Sequence, residues 1–116
     1  MDKPKNYELR AMHATLCQAI ADPTRIALLY ELGDGRKHVS QLVGSLQLPQ
    51  ATVSRHLKIL RDRSLVATER EGTFVYYSLV YPEVLAALDI MRSVMHTNLS
   101  EQSSLANAIY FTQGEG

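Results

Sequence analysis

Three features of this 116-residue chain predict a mainly α domain with a β-hairpin wing. Apolar residues recur at helical spacing from about Tyr7 to Leu60. A tight turn, Gln47-Leu48-Pro49, separates a short helix from a longer one with a polar face. After Ser64 the pattern changes to β-branched and aromatic residues in two runs. The expected architecture is a winged helix-turn-helix of order α-α-α-α-β-β-α, dimeric, with residues 1–116 forming one domain.

The elements follow in order. A first helix is expected over residues 7–20, with Leu9, Met12, Leu16 and Ile20 as its apolar stripe. Asp22 then caps a second helix, and Pro23 suits its first position because it has no N–H to satisfy. Ile26, Leu29 and Leu32 face inward there, and Gly33-Asp34-Gly35 stops the helix. A short helix over 39–46 points Val39, Leu42, Val43 and Leu46 inward. The helix after Pro49 buries Val53, Leu57 and Leu60. Its opposite side carries Ser54, Arg55, Lys58 and Arg61, with Gln50 and Thr52 in the first turn.

Residues 65–70 and 73–79 read as a β-hairpin around Glu71-Gly72, which places Arg70 and Thr73 near its tip. Pro82 suits the start of one or two final helices, over 82–110. Val84, Leu88, Met91 and Met95 form a seam there for another helix. A domain this small has little core left for that seam to cover. Helices 7–20 and 82–110 are therefore expected to build a homodimer interface. Leu105 and Ile109 could extend the stripe, and Ser103-Ser104 and residues 113–116 suggest fraying.

The polar face of the helix after Pro49 suits a DNA major groove. Arg and Lys read guanine or neutralise phosphate, Gln pairs with adenine, and Ser and Thr suit base edges or phosphates. The net charge of zero hides an uneven distribution. Between residues 36 and 70, Arg36, Lys37, Arg55, Lys58, Arg61, Arg63 and Arg70 oppose only Asp62 and Glu69. Beyond residue 70, Arg92 stands alone against Glu71, Glu83, Asp89, Glu101 and Glu115. A basic middle and an acidic tail suit a molecule with one DNA-facing surface and salt-sensitive binding.

No stretch reaches the roughly 18 apolar residues of a membrane span. The first ten residues hold no apolar signal core, and one cysteine cannot build an internal disulfide framework. A cytoplasmic protein is expected.

Three motifs in register then resemble the ArsR/SmtB family of winged-helix repressors. They are Ala21-Asp22-Pro23-Thr24-Arg25, Thr52-Val53-Ser54-Arg55-His56-Leu57-Lys58-Ile59-Leu60 and Gly72-x-x-Val75-Tyr76-Tyr77-Ser78-Leu79. The resemblance spans about residues 10–95. It implies a homodimer that binds a twofold-symmetric operator in double-stranded DNA and is released by an effector. By that resemblance Thr52, Ser54, Arg55 and His56 match the DNA-contacting helix, with Gln50 at its start. Arg55 is the candidate base reader or phosphate clamp, and Lys58 a backbone anchor. His56 could donate to phosphate or pack beside Tyr76 or Tyr77.

The chain departs from the family at the metal positions. Where many members carry Cys-x-Cys, this sequence has His38-Val39-Ser40, and Ser40 is a poor ligand for soft metals. Where others hold zinc between C-terminal helices, it has Tyr81, Glu83, Val94 and Thr97. No cofactor is expected. The remaining candidate donors are His13 and Cys17, four apart on the first helix, with His96 as a third across a dimer. The simpler reading makes Cys17 a small buried hydrophobe. Cys17 is also a candidate oxidant-sensing thiol.

Other function classes fit less well. A protein-interaction winged helix needs neither the basic stretch nor the polar helix face. An enzyme would need a phosphate-binding loop, a HExxH pattern, a carboxylate pair or an activated nucleophile. None is present in the sequence, and His56 has no evident Asp or nucleophile partner for work as a general base.

Overall fold

The computed structural model describes residues 2–114, with side chains through residue 102. Where the sequence predicts a single domain, the chain divides into two compact units, Met1–Pro82 and Glu83–Gly116.

The first unit opens with a helix in three segments: Asn6–Met12, a π-helical turn His13–Cys17, and Gln18–Ile20. Together they form α1. At the π turn the Gln18 N–H reaches back to the His13 carbonyl, one residue further than in an α-helix. Nothing in the apolar spacing announces this turn. The Thr15 hydroxyl donates to the Ala11 carbonyl at 2.6 Å beside it, a bond that tends to bend helices. Of the predicted stripe of α1, Leu9, Met12 and Leu16 are exposed, as is Tyr7 before them, and Ile20 is half-buried.

Helix α2 spans Pro23–Gly33. Asp22 Oδ1 accepts from the backbone N–H groups of Thr24 (2.8 Å) and Arg25 (3.2 Å), satisfying two donors that a helix start leaves orphaned. Partial desolvation pushes the Asp22 carboxyl up. Those two backbone donors, together with the nearby His56 and Arg25, outweigh it and hold Asp22 below its ordinary value of 3.8. A depressed carboxylate stabilises the fold above its unfolded pKa, and that contribution disappears as pH falls through the folded value. Asp22→Ala should therefore cost about 0.5–2 kcal/mol at neutral pH. In urea melts, the gap between the variant and the parent should narrow below pH 4, roughly the ordinary carboxylate range.

A two-residue strand β1 (Lys37–His38) leads into α3 (Val39–Leu46), and α4 (Gln50–Asp62) follows after the turn. Gln47 closes α3 in the left-handed region at φ 54°. The other end of α4 is a Schellman stop. Leu65 N–H donates to the Leu60 carbonyl at 3.0 Å, and Ser64 N–H donates to that of Arg61 at 2.9 Å. Leu60 and Leu65 are both buried, the apolar contact that accompanies such a stop. The motif puts Ser64 at φ 62°, which crowds its Cβ. Ser64→Gly should raise stability by up to about 1 kcal/mol, the strain relief exceeding the entropy of the freer chain. Thermal melts of the two proteins would show it.

Strands β2 (Val66–Glu71) and β3 (Phe74–Leu79) pair antiparallel from Val66↔Leu79 to Glu71↔Phe74. The two-residue turn is therefore Gly72-Thr73, one residue later than the predicted Glu71-Gly72. Gly72 takes φ 65°, which glycine adopts without steric cost. β1 pairs with the other edge of β3, making a three-stranded sheet of order β1-β3-β2. The sequence predicts only a hairpin. Two residues between a glycine stop and a helix are too short to show alternation.

The core of this unit is one cluster of fully buried side chains. It comprises Leu28, Leu29 and Leu32 of α2, Leu42 of α3, Val53, Leu57 and Leu60 of α4, and Leu65 and Val66 leading into β2. All the residues predicted to point inward from α4 are in it.

The second unit is a single helix, α5 (Glu83–Gly114), where the sequence allows one or two. Its 32 residues measure about 48 Å at 1.5 Å per residue. Arg92 pairs with Asp89 at 3.1 Å. Ile90, Met91, Val94, Met95 and Leu99 are exposed along it. The helical backbone runs on through Ser103 and Ser104. The side chains of Leu105 and Ile109, and all of Glu115 and Gly116, lie outside the described residues.

Candidate nucleic-acid interface

The two faces of α4 are sharply divided. Val53, Leu57 and Leu60 have no solvent exposure. Gln50, Ser54, Arg55, Lys58 and Arg61 are exposed, and Thr52 is half-buried. Arg55 and Arg61 have no ion-pair partner among the described residues, so their charges stand ready for a ligand. Lys58 is already engaged with Asp62 at 2.9 Å, one helical turn on. Both groups of that pair are well exposed, so its net worth is small and an incoming anion can replace Asp62.

His56 does not join this face. It is 7% exposed, turned into the domain. Its Nδ1 lies 3.2 Å from Arg25 Nη1 and 4.0 Å from Asp22 Oδ1. This corrects the expectation that His56 contacts DNA. In the helical order His56 falls between Val53 and Leu57–Leu60, on the core side of the wheel. Nor does it stack on Tyr76 or Tyr77. Those residues lie in β3, whose ring contacts run instead to His38 and Arg36.

Arg25, which sequence spacing marks only as part of the Asp22-Pro23-Thr24-Arg25 motif, has a structural role. Its guanidinium donates from Nε to the Ala19 carbonyl at 2.6 Å and from Nη2 to the Gln18 carbonyl at 3.0 Å. Both carbonyls stand in the last turn of α1, where helical donors run out; that of Gln18 also accepts from the Ala21 N–H at 3.4 Å. The usable signal was an arginine three residues after a capping Asp, in reach of the preceding helix end.

The wing carries Arg70 and Thr73, both exposed, near its tip. Arg36 is not a free cation. It is hydrogen-bonded to Glu71, lies 3.7 Å from Glu69, and stacks over the Tyr76 ring at 4.2 Å. The basic stretch is therefore less positive at the wing than the residue count suggests. Arg55 and Arg61 keep exposed charges on the outer face of α4.

The metal candidates lie on α1 and α5. His13 and Cys17 are exposed at the two ends of the π turn, so Cys17 is not the buried hydrophobe of the simpler reading. His96 is exposed on α5. His38, at the family's Cys-x-Cys position, stacks on Phe74 with ring centroids 4.5 Å apart, and its Nδ1 is buried without a hydrogen-bond partner. Ser40 beside it supplies no soft donor. Among the described residues no three His, Cys, Asp or Glu side chains converge as a metal site.

Comparison with known proteins agrees with this geometry. The profile of the "Bacterial regulatory protein, arsR family" matches residues 22–68, from the cap of α2 into β2. The chain is 40% identical over 76 residues to the HTH-type transcriptional repressor SmtB of Mycobacterium tuberculosis, covering 66% of this chain and 56% of that repressor's length. It is 38% identical over 85 residues to the arsenical resistance operon repressor of Bacillus subtilis, covering 72% of this chain and 80% of that one. Among solved structures, NolR from Sinorhizobium fredii superposes with a TM-score of 0.68 at 28% identity, over 81% of this chain and 96% of NolR.

Proposed function

The chain belongs to the arsR family of bacterial regulatory proteins, and from that premise we propose that it is a cytoplasmic, non-enzymatic transcriptional repressor. In this reading it binds double-stranded operator DNA as a homodimer. One observation carries the proposal: α4 presents Gln50, Ser54, Arg55, Lys58 and Arg61 to solvent while its other face is wholly buried. A positively charged helix face of this kind suits a major groove. Arg55 reads a base edge or clamps phosphate, Thr52 and Ser54 donate hydroxyls, and Lys58 and Arg61 hold the backbone. Arg70 and Thr73 of the wing meet an adjacent phosphate or groove edge.

Two exposed apolar stripes support the homodimer. Tyr7, Leu9, Met12 and Leu16 on α1, and Ile90, Met91, Val94, Met95 and Leu99 on α5, each leave large side chains in water. A partner subunit that covered residues 7–20 and 82–110 would remove both from solvent. The operator is then twofold-symmetric, with half-sites about one helical turn apart or a multiple of it.

Fluorescence anisotropy on a labelled fragment from upstream of the protein's own gene tests the reading. It is run at two salt concentrations, with and without zinc, nickel, arsenite and peroxide. The expected result is preference over random DNA with strong salt dependence. Equal affinity for both DNAs would overturn the repressor reading and favour a protein-binding winged helix. Because Cys17 is exposed, a thiol- or metal-responsive repressor using His13, Cys17 and the partner's His96 is the second reading. Release by peroxide or a metal that Cys17→Ser abolishes would support it.

A further inference from the structure

We propose that Arg25 is a positioning residue that sets the angle of α4 against α1, and so fixes the operator half-site spacing the dimer accepts. The inference rests on the repressor reading above. One guanidinium joins three elements. Its backbone starts α2 on the Asp22 cap, its Nε and Nη2 hold the last carbonyls of α1, and its Nη1 meets His56 in the middle of α4. Arginine suits this place because its donors are held in a rigid planar fork. Lysine offers a single point charge and cannot hold the same three acceptors in one plane.

The contact also determines the chemistry of His56. Arg25 only donates, so His56 Nδ1 must present its lone pair and the ring proton must reside on Nε2. A buried ring held in one tautomer by a half-buried guanidinium that is itself tied to the end of α1 favours one relative placement of the two helices. Helix α1 exposes an apolar stripe suited to a partner, whereas α4 carries the groove-facing residues. A shift of α1 at its partner contact therefore reaches α4 through Arg25 and His56. The link is the 3.2 Å contact between Arg25 Nη1 and His56 Nδ1.

The test uses the full chain and three duplexes: the operator fragment, the same fragment with one base pair inserted between half-sites, and a random duplex. Arg25→Met keeps the apolar stem and removes the fork. It should lower operator affinity about 5- to 30-fold, the factor for one to two kcal/mol. It should also erase discrimination between native and altered spacing, with binding to random DNA unchanged. His56→Asn keeps an acceptor near the Nδ1 position and should retain discrimination, while His56→Leu should lose it. The double variant Arg25→Met, His56→Leu should be no worse than the weaker single variant, as expected of one coupled link. Nitrogen NMR of the His56 ring should report the Nε2–H tautomer in the parent and its loss in Arg25→Met.

Retained spacing discrimination in a folded Arg25→Met protein would overturn the inference while leaving the repressor reading intact. So would an equal loss on operator and random DNA, which would mark damage to the whole fold. If Arg25→Met does not fold, the contrast between His56→Asn and His56→Leu decides the matter by the same criterion. A parent protein without operator preference would overturn the repressor reading and this inference together.

Discussion

Leu57→Ala is expected to cost about 2–5 kcal/mol of folding free energy, the range for a large-to-small change in a closed core. Leu57 has no solvent exposure and lies at the centre of α4, which packs against α2, α3 and β2. The site cannot collapse easily, because α4 is held between two helices and a strand. Small domains have only about 5–15 kcal/mol of stability to lose. The variant should melt at much lower urea concentration and lose DNA binding in proportion to its unfolded fraction. A Leu57→Ala midpoint within experimental error of the parent would show that α4 is not anchored by this cluster.

Arg55→Ala should lower operator affinity by about 1–3 kcal/mol, if Arg55 makes a bidentate contact to a guanine. Arg55 is exposed, and removing it disturbs no buried contact, so stability should change little. The comparison that matters is with random DNA. A loss confined to the operator assigns Arg55 to base reading. An equal loss on both, with a shallower salt dependence, assigns it to phosphate. No loss on either would remove α4 from the interface and sink the repressor reading.

Much of this protein was legible from residue spacing. The stripe Val53, Leu57, Leu60 predicts the buried face of α4, and all three are fully buried. Asp22-Pro23 predicts the start of α2, and the Asp22 carboxylate does cap it. These signals are local: a cap reaches three residues and a helical stripe repeats every three or four. The same logic separated Ser54, Arg55, Lys58 and Arg61 from the core.

What failed depends on neighbours distant in sequence. The family resemblance places His56 among the DNA-facing residues, although its place on the wheel is beside the core. Its partner, Arg25, is 31 residues earlier, and no spacing rule joins them. Arg36 counted as a free cation until β3 brought the wing's Glu69 and Glu71 against it. Strand β1 exists because β3 offers Lys37 and His38 an edge to pair with, not because two residues favour extension.

By itself the sequence determined the order of the helices, the wing, the buried stripe and the exposed basic face. Each rests on a periodicity or a cap contained within one element. Only the tertiary structure decided which charges stay available and which are spent on neighbours. It turned His56 away from the exposed face of α4, paired the Arg36 charge with the wing's acids, and gave Arg25 a role. The physical reason is that hydrogen bonds and ion pairs act over a few ångströms in space, whatever the distance along the chain.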